Sequence, residues 1–447
     1  MDVTRRRVMG LFGASATALM CERTAAKAAP SSARDGLKPG SPGDQTAPLQ
    51  RAIDAAAAAR TPLVLPPGTY RTGELELPNG AQIIGARGAT RLTFTGSGSS
   101  LFSAKGADGL HLSGLTLDGG NASLPERRGL VSLQACRDLR ITECEILGSG
   151  RNAIRVETCS GDIRNTIMRR TKATAIVSVD ALGLLIAQNI IQDASQNGIE
   201  IVRTAPGDDG TIVVDNRIET IKAGPGGTGQ YGNAINAYRA NNVIVRGNRI
   251  RDCDYSGVRG NSASNIQIVG NTITDAREVA LYSEFSFEGA VIANNIVDTC
   301  STGVSVANFN EGGRLAIVQG NIIRNTRTRR YPGSDTVHGG VGIYIEADSN
   351  VTGNVIENAP VCGINAGWGK YLRDVNIADN IIRDAFVGIG ISAVDGTGKT
   401  LVSGNLITNA PRGAIVGYDH DKPVTGDLAV VGASGLPKIV LGLNTVQ

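Results

Sequence analysis

Aromatic side chains are scarce: 7 Phe, 9 Tyr and a single Trp in 447 residues. A chain of this length would ordinarily hold two or three globular domains, and such cores need more bulky fillers than this. Charge is also sparse, at 19% of residues against 41% hydrophobic, which excludes a disordered polyelectrolyte. Beyond the N-terminal segment no apolar run reaches the roughly 18 residues of a membrane-spanning helix, so a polytopic helical membrane protein is excluded. There is no P-loop, dinucleotide fingerprint, zinc-ligand spacing or serine nucleophile elbow.

The N-terminus carries Thr4-Arg5-Arg6-Arg7-Val8-Met9-Gly10, an apolar run from Leu11 to Met20, and Ala26-Lys27-Ala28. A basic start, a short apolar core and an A-x-A site form a secretory signal, and the paired arginines resemble the twin-arginine export motif. This predicts a signal peptide over 1–28, engagement of the twin-arginine machinery, and a periplasmic or secreted location. Met20 before Cys21 is not the small residue that lipoprotein processing prefers, so no stable membrane anchor is expected. Without residues 1–28 the 44 basic and 41 acidic side chains fall to 39 of each. That neutrality gives a nucleic-acid partner no support.

What is abundant is a repeat. The phrase apolar-x-x-Asn-x-Ile recurs with Asn at 189, 216, 248, 271, 295, 321, 354, 380 and 405, and with weaker equivalents at Leu115, Cys144 and Thr166. The mean period from 115 to 405 is about 26 residues, in the range of solenoids. Each unit also carries a small residue followed by an aliphatic one, as in Ala234-Ile235, Gly257-Val258, Ala280-Leu281 and Gly342-Ile343. Alternation then follows with period two, the periodicity of strands. No Leu-x-Leu strand or helical return recurs, which disfavours a leucine-rich repeat. The pattern predicts an all-β, single-stranded right-handed parallel β-helix of about twelve rungs over 110–447. The asparagines are expected to be scaffold, stacked into ladders that satisfy one another at a corner. Ahead of it lie a linker over 29–44 and a cap with first coils over 45–109, including a short helix over 46–60 with Leu49, Ala52, Ile53 and Ala56 on one face.

Three stretches make a resemblance specific: Ala47-Pro48-Leu49-Gln50-Arg51-Ala52-Ile53-Asp54, Leu63-Val64-Leu65-Pro66-Pro67-Gly68-Thr69-Tyr70 and Gly114-Leu115-Thr116-Leu117-Asp118-Gly119. They resemble the opening of pectate-lyase-superfamily β-helix proteins. The twin arginines joined to these repeats resemble a family of exported repeat proteins with no assigned function. The resemblance implies the fold and carries over no catalytic residue. The Asp pairs and His-Gly element of the polygalacturonase branch are absent, since Gly207-Asp208-Asp209 and His338-Gly339 lie several rungs apart.

Candidate chemistry follows from the strand pattern. With the aliphatic residue after each small one pointing inward, two outward columns run along the coil. The first reads Arg155, Val177, Glu200, Asn236, Arg259, Tyr282, Ser305, Tyr344, Asn365, Gly390; the second includes Glu157, Tyr238, Asn261, Glu284 and Glu346. Polar and aromatic residues concentrate in the middle. Two long repeats insert loops at one corner, over 224–231 and 327–338, four rungs or roughly 19 Å apart at the inter-strand spacing. Most of the aromatics fall between Tyr231 and Tyr371, which suits sugar stacking or, on the alternative reading, loop packing.

Glu284 and Glu346 share a column two rungs apart, about 9.6 Å, close to the separation of about 6.5 to 9.5 Å in inverting glycosidases. A lyase would instead need a base beside a uronate carboxyl and cations for the developing enolate. Arg259, Arg327, Arg329, Arg330, His338, Tyr282 and Tyr344 supply those types. The candidate catalytic set is therefore Glu284, Arg259, Glu346 and His338, and the candidate substrate-binding set is Asn236, Tyr238, Asn261, Tyr282, Arg327, Arg330, Tyr344, Asn365 and Trp368. No cofactor or metal is required, although Glu284 is a candidate calcium ligand. The reading is an exported β-helix that binds a polysaccharide, acidic by its basic loop, in a lateral cleft and cleaves it as a polysaccharide lyase or glycoside hydrolase. The alternative is a non-catalytic carbohydrate-binding or envelope-structural β-helix. Cys253 and Cys300 fall two rungs apart, too far for a disulfide, and are expected to be unbridged core residues.

Overall fold

A tight corner in each coil leaves backbone N–H groups inside the protein, and the repeated asparagines satisfy them. The computed structural model describes residues 36–224, 229–330 and 335–447. In it the Asn189 backbone N–H and Nδ2 both donate to Asn216 Oδ1, at 2.9 and 3.0 Å. The same pair of bonds passes from Asn216 through 248, 271, 295, 321, 354, 380 and 405 to Asn444. Thr166 and Cys144 extend the ladder backwards through the Cys144 N–H to Thr166 Oγ1 and the Thr166 N–H to Asn189 Oδ1. The left-handed backbone of this corner falls on the residue before each asparagine from Asn189 to Asn405, as at Asp215 (φ 57°) and Gly247 (φ 66°). The asparagine therefore contributes its amide to the corner, and its predecessor contributes the bend.

The coil has three faces. The first holds strands preceding the ladder, such as Ile244–Arg246; the second follows it, such as Arg249–Cys253; the third carries the small-aliphatic pair, such as Val258–Asn261. The first face is a 15-stranded parallel sheet. About twelve rungs were counted from the phrase; two coils before it (Leu63–Val64 and Gln82–Ile84) and one after it (Ile439–Leu441) complete the stack. Fourteen spacings of about 4.8 Å give a rod of about 67 Å. The second and third faces merge where strands such as Thr272–Glu284 and Ile381–Ser392 run through their shared corner.

Inward columns build the core. Ile199, Ile235, Val258, Leu281, Val304, Ile343, Ile364, Ile389 and Ile415 stack in register on the third face, all fully buried. Each contributes roughly 1.5–3 kcal/mol of burial. The residue before this column must be small because the coil closes on it: a Cβ at Gly303 would lie 2.5 Å from the Gly342 carbonyl oxygen. Cys253, Ala276 and Cys300 occupy one column on successive rungs, and all six cysteines of the described residues are buried and unbridged.

The helix, α1 (Thr46–Ala58), buries Leu49, Ala52 and Ile53 over the first coil. Gln50 Nε2 donates to the Glu76 carbonyl and Gln50 Oε1 accepts from the Glu76 N–H, at 2.8 and 2.9 Å, so the cap pairs an otherwise open strand edge. The chain is anchored from Leu37 onward, which is buried, with the Gly40 N–H on the Thr69 carbonyl. The export signal expected over 1–28, and parts of both long loops (225–228 and 331–334, with Tyr331), lie outside the described residues.

Candidate functional site

The parallel register places the outward columns on the third face as expected. Glu200, Asn236, Arg259, Tyr282, Ser305, Tyr344 and Asn365 are Cα partners on successive rungs. Tyr238, Asn261 and Glu284 are partners two residues on. Side chains that leave a β-helix outward normally meet water, yet Arg259, Glu284 and Glu346 are only 7%, 3% and 7% exposed. The first long loop explains part of this. Gly229 (φ 97°) presents its carbonyl to an Arg259 guanidinium nitrogen, and a side chain at that position would collide with the guanidinium.

Arg259 is the hub. Its Nε donates to Glu284 Oε1 at 2.6 Å and a terminal guanidinium nitrogen lies 2.5 Å from the same oxygen. Asn261 Nδ2 donates to that oxygen at 3.0 Å, and the guanidinium carbon stands 5.6 Å from the Tyr282 ring centre. Burial disfavours the charged guanidinium, but Glu284 and Glu278 outweigh it and hold Arg259 above its ordinary value. Tyr282 is pushed well up by burial and then by the two carboxylates. Next to this cluster, the buried Asn236 Oδ1 accepts no hydrogen bond among the described residues, an acceptor suited to a ligand hydroxyl.

Two rungs beyond Glu284, Glu346 has no ion pair among the described residues. Its Oε1 accepts from the Tyr344 hydroxyl and its Oε2 from the Phe309 N–H, both at 2.6 Å. Burial nevertheless wins over these donors and raises its carboxyl above 4.5. The Tyr344 phenol is raised by burial and by Glu346, so both tyrosines are hydrogen-bond donors and not bases. One carboxylate locked to an arginine and one kept protonatable are environments of the kind that separate the two roles in acid–base pairs.

The other expected residues are more scattered. His338 is exposed on a two-strand hairpin, its ring against the Thr336 hydroxyl, and that hairpin rests on Ser301 at the corner between the second and third faces. Arg327 and Arg330 are exposed on the same loop, whereas Arg329 is turned to Asp275 at 2.8 Å. Tyr238 lies under the Arg239 guanidinium at 4.8 Å. Trp368, 44% exposed, meets His420 edge-on at 5.2 Å near the C-terminal end of the face. Of the clustered aromatics, Tyr255 and Phe287 are core, and Phe309 stacks under Arg373 at 4.5 Å. Glu284 fits a calcium ligand poorly, since its Oε1 already accepts from Arg259 and Asn261. Among the described residues no three His, Cys, Asp or Glu side chains gather as a metal site.

Sequence reasoning missed Glu278. It lies in the corner before the third face, bonds to the Ser256 hydroxyl at 2.8 Å, and faces Arg259. Burial raises its carboxyl, against the pull of Arg259 and Ser256. Its signal was a charged residue two positions before a small-aliphatic pair, where other rungs carry Gly232, Tyr255, Ser301 and Gly340.

Comparison with known proteins agrees with the geometry. Residues 206–373 match the family model described as "Right handed beta helix region". No curated protein matches the sequence. Among solved structures, the catalytic unit of a GH87 alpha-1,3-glucanase from Streptomyces thermodiastaticus superposes over 95% of this chain and 70% of its own, at 15% identity and a TM-score of 0.51. A pre-mature gene product 12 of bacteriophage phi29 covers 86% of this chain at 15% identity and a TM-score of 0.52, although only 54% of that protein is spanned. A PL6 alginate lyase in complex with a trisaccharide gives 16% identity, a TM-score of 0.50, and coverage of 88% and 94%. At such identities the likeness concerns the fold alone, a right-handed parallel β-helix.

Proposed function

We propose that this chain is an exported β-helix protein that binds an acidic polysaccharide along its third face and cleaves it by acid–base chemistry centred on Glu284 and Glu346. The observation that carries the reading is the buried Arg259–Glu284 pair, with Glu278, Asn261 and Tyr282 around it, on a surface that the coil does not need to bury. Such a cluster contributes little to folding compared with apolar side chains of the same volume, which favours a role in ligand chemistry. Glu346, with its raised carboxyl, is the proton-transfer group. Arg259 places positive charge where a sugar carboxyl or a developing anion would lie, and the Asn236 oxygen, unpaired among the described residues, meets a hydroxyl. Two solved structures with the same fold, a glucanase and an alginate lyase bound to a trisaccharide, act on sugar polymers and support the substrate class.

The test incubates the chain with acidic and neutral glycans while reducing ends and unsaturated products are followed. A lyase produces both signals, and a hydrolase produces reducing ends alone. Binding without either product would replace the enzymatic reading by a carbohydrate-binding module. No binding to any glycan would overturn both. Export is tested separately, by finding the protein outside the cytoplasm only while Arg5 and Arg6 are intact.

A further inference from the structure

Four rungs from Arg259 towards the N-terminus, the third face carries two adjoining cavities of about 320 and 240 Å³ that share Arg127 and Arg155. Arg151 lines the larger and Arg128 the smaller. The segment bearing Arg127 and Arg128 is fixed: Leu124 is buried, the Arg128 N–H bonds to the Pro125 carbonyl, and Asn152 Nδ2 holds the Arg128 carbonyl at 2.9 Å. Arg155 is engaged by Glu157 at 3.2 Å, and Arg151 donates to the Glu126 carbonyl at 3.1 Å. Neither Arg127 nor Arg128 has a side-chain hydrogen bond or ion pair among the described residues, so two guanidinium groups face a concavity without an anion of their own.

The floor of the larger cavity is apolar. Val177 and Val179 stand in the outward columns and yet are buried, at 5% and 8% exposure. Beside them Glu200 has its carboxyl raised by burial, which Asn197, Thr174 and Arg155 only partly offset. Tyr231, on the first long loop, belongs to the same cavity, so one loop touches both this site and, through Gly229, the Arg259 cluster.

We infer that these cavities form a subsite for a carboxylated sugar unit of a chain that continues to Glu284. The inference rests on the proposed function and names its substrate class as a uronate-bearing oligosaccharide. Guanidinium forks pair with carboxylates in two parallel hydrogen bonds, and the valine floor accepts the apolar face of a sugar ring. Arg155 and Arg259 stand in one column, roughly 19 Å apart at the strand spacing, so only an oligosaccharide of several units engages both.

The test compares wild type, Arg127→Ala/Arg128→Ala and Glu284→Gln by calorimetric titration with oligouronates of two and six units and with a neutral hexasaccharide. The arginine variant should bind the acidic hexamer at least tenfold more weakly, with the difference shrinking as salt rises, and should bind the neutral hexamer as wild type does. Its thermal midpoint should be unchanged, because both side chains are exposed. Glu284→Gln should retain hexamer binding and lose turnover. An arginine variant that keeps wild-type affinity for the acidic hexamer, or loses neutral and acidic ligands equally, would overturn the subsite while leaving the proposed function standing. Turnover retained in Glu284→Gln, with binding lost in the arginine variant, would overturn the proposed chemistry and keep the subsite. No binding of any oligouronate by wild type would overturn both.

Discussion

Replacing Glu284 by Gln separates what the Arg259–Glu284 pair does for the fold from what it does for chemistry. The side chains are 9% and 4% exposed and joined through one oxygen at 2.5 and 2.6 Å. Removing one partner of a buried pair costs about 3–5 kcal/mol, because the remaining charge is left uncompensated. Glu278 also faces Arg259 and Gln keeps the hydrogen bond from Asn261, so the lower end, about 3 kcal/mol, is expected. Converting both residues together, Arg259→Met with Glu284→Leu, should bring the cost back to within about 1 kcal/mol of wild type, since apolar groups of similar volume replace buried pairs with little loss. Turnover should fall by a factor of about 10²–10⁴ in both variants if Glu284 takes part in proton transfer. A solenoid opens rung by rung, so the measurement is amide hydrogen exchange in Val258–Asn261 and Thr272–Glu284, with glycan turnover alongside. Equal stability in the single and double variants would mean that the pair is not desolvated as described. Full turnover in the double variant would make the cluster a structural feature only.

Three further outcomes follow from the same geometry. Asn295→Ala leaves the Asn271 N–H, now bonded to Asn295 Oδ1 at 2.8 Å, without that partner inside the coil and removes the bond to the Ile268 carbonyl at 2.9 Å. At about 1–3 kcal/mol for an unsatisfied buried group and about 1 kcal/mol for a lost hydrogen bond the loss in urea titrations should reach about 2–4 kcal/mol, whereas Asn376→Ala on the outer surface should cost under about 1 kcal/mol; equal losses would refute the ladder. Glu278 and Glu346 both have carboxyls raised above 4.5. From 4.5 upward to those values the folded chain holds more protons than the unfolded one, so stability is greatest below that window and falls as pH rises through it. Glu346→Gln should flatten the fall and remove the alkaline limb of the pH–rate profile, and an unaltered profile would deny Glu346 a proton-transfer role. The buried thiols of Cys253 and Cys300 should react with alkylating reagents only after unfolding, and mass spectrometry should find no crosslink between them.

Much of this was legible because a β-helix repeats its geometry. Once the inward column was fixed by Gly257-Val258 and its equivalents, period-two alternation put Arg259 next to Tyr282 and Asn261 next to Glu284, and the strand register agrees residue by residue. Burial of those outward side chains was not legible. It depends on where Gly229 folds back over Arg259 and where the Phe309 N–H reaches Glu346, contacts spanning 30 and 37 residues. The basic loop shows the same limit from the other side. Arg327, Arg329 and Arg330 looked alike in sequence, but Asp275, two rungs earlier, engages Arg329 and leaves the exposed positions to the others.

Corner residues escaped for a related reason. Glu278, Arg127 and Arg128 sit before the small-aliphatic pair, where rungs differ in length and no period assigns a direction. Strand periodicity therefore names which side chains can reach a ligand, while the corner loops decide which of them are desolvated enough for chemistry. Substitutions in the columns should change affinity or rate at one rung, whereas a change at Gly229, whose φ of 97° few other residues adopt, should disturb Arg259 and Glu284 together. Gly229→Ala is accordingly expected to lower turnover with less effect on stability than Glu284→Gln. The measurement is again turnover beside hydrogen exchange, and an alanine variant with wild-type turnover would show that this loop does not hold the guanidinium in place.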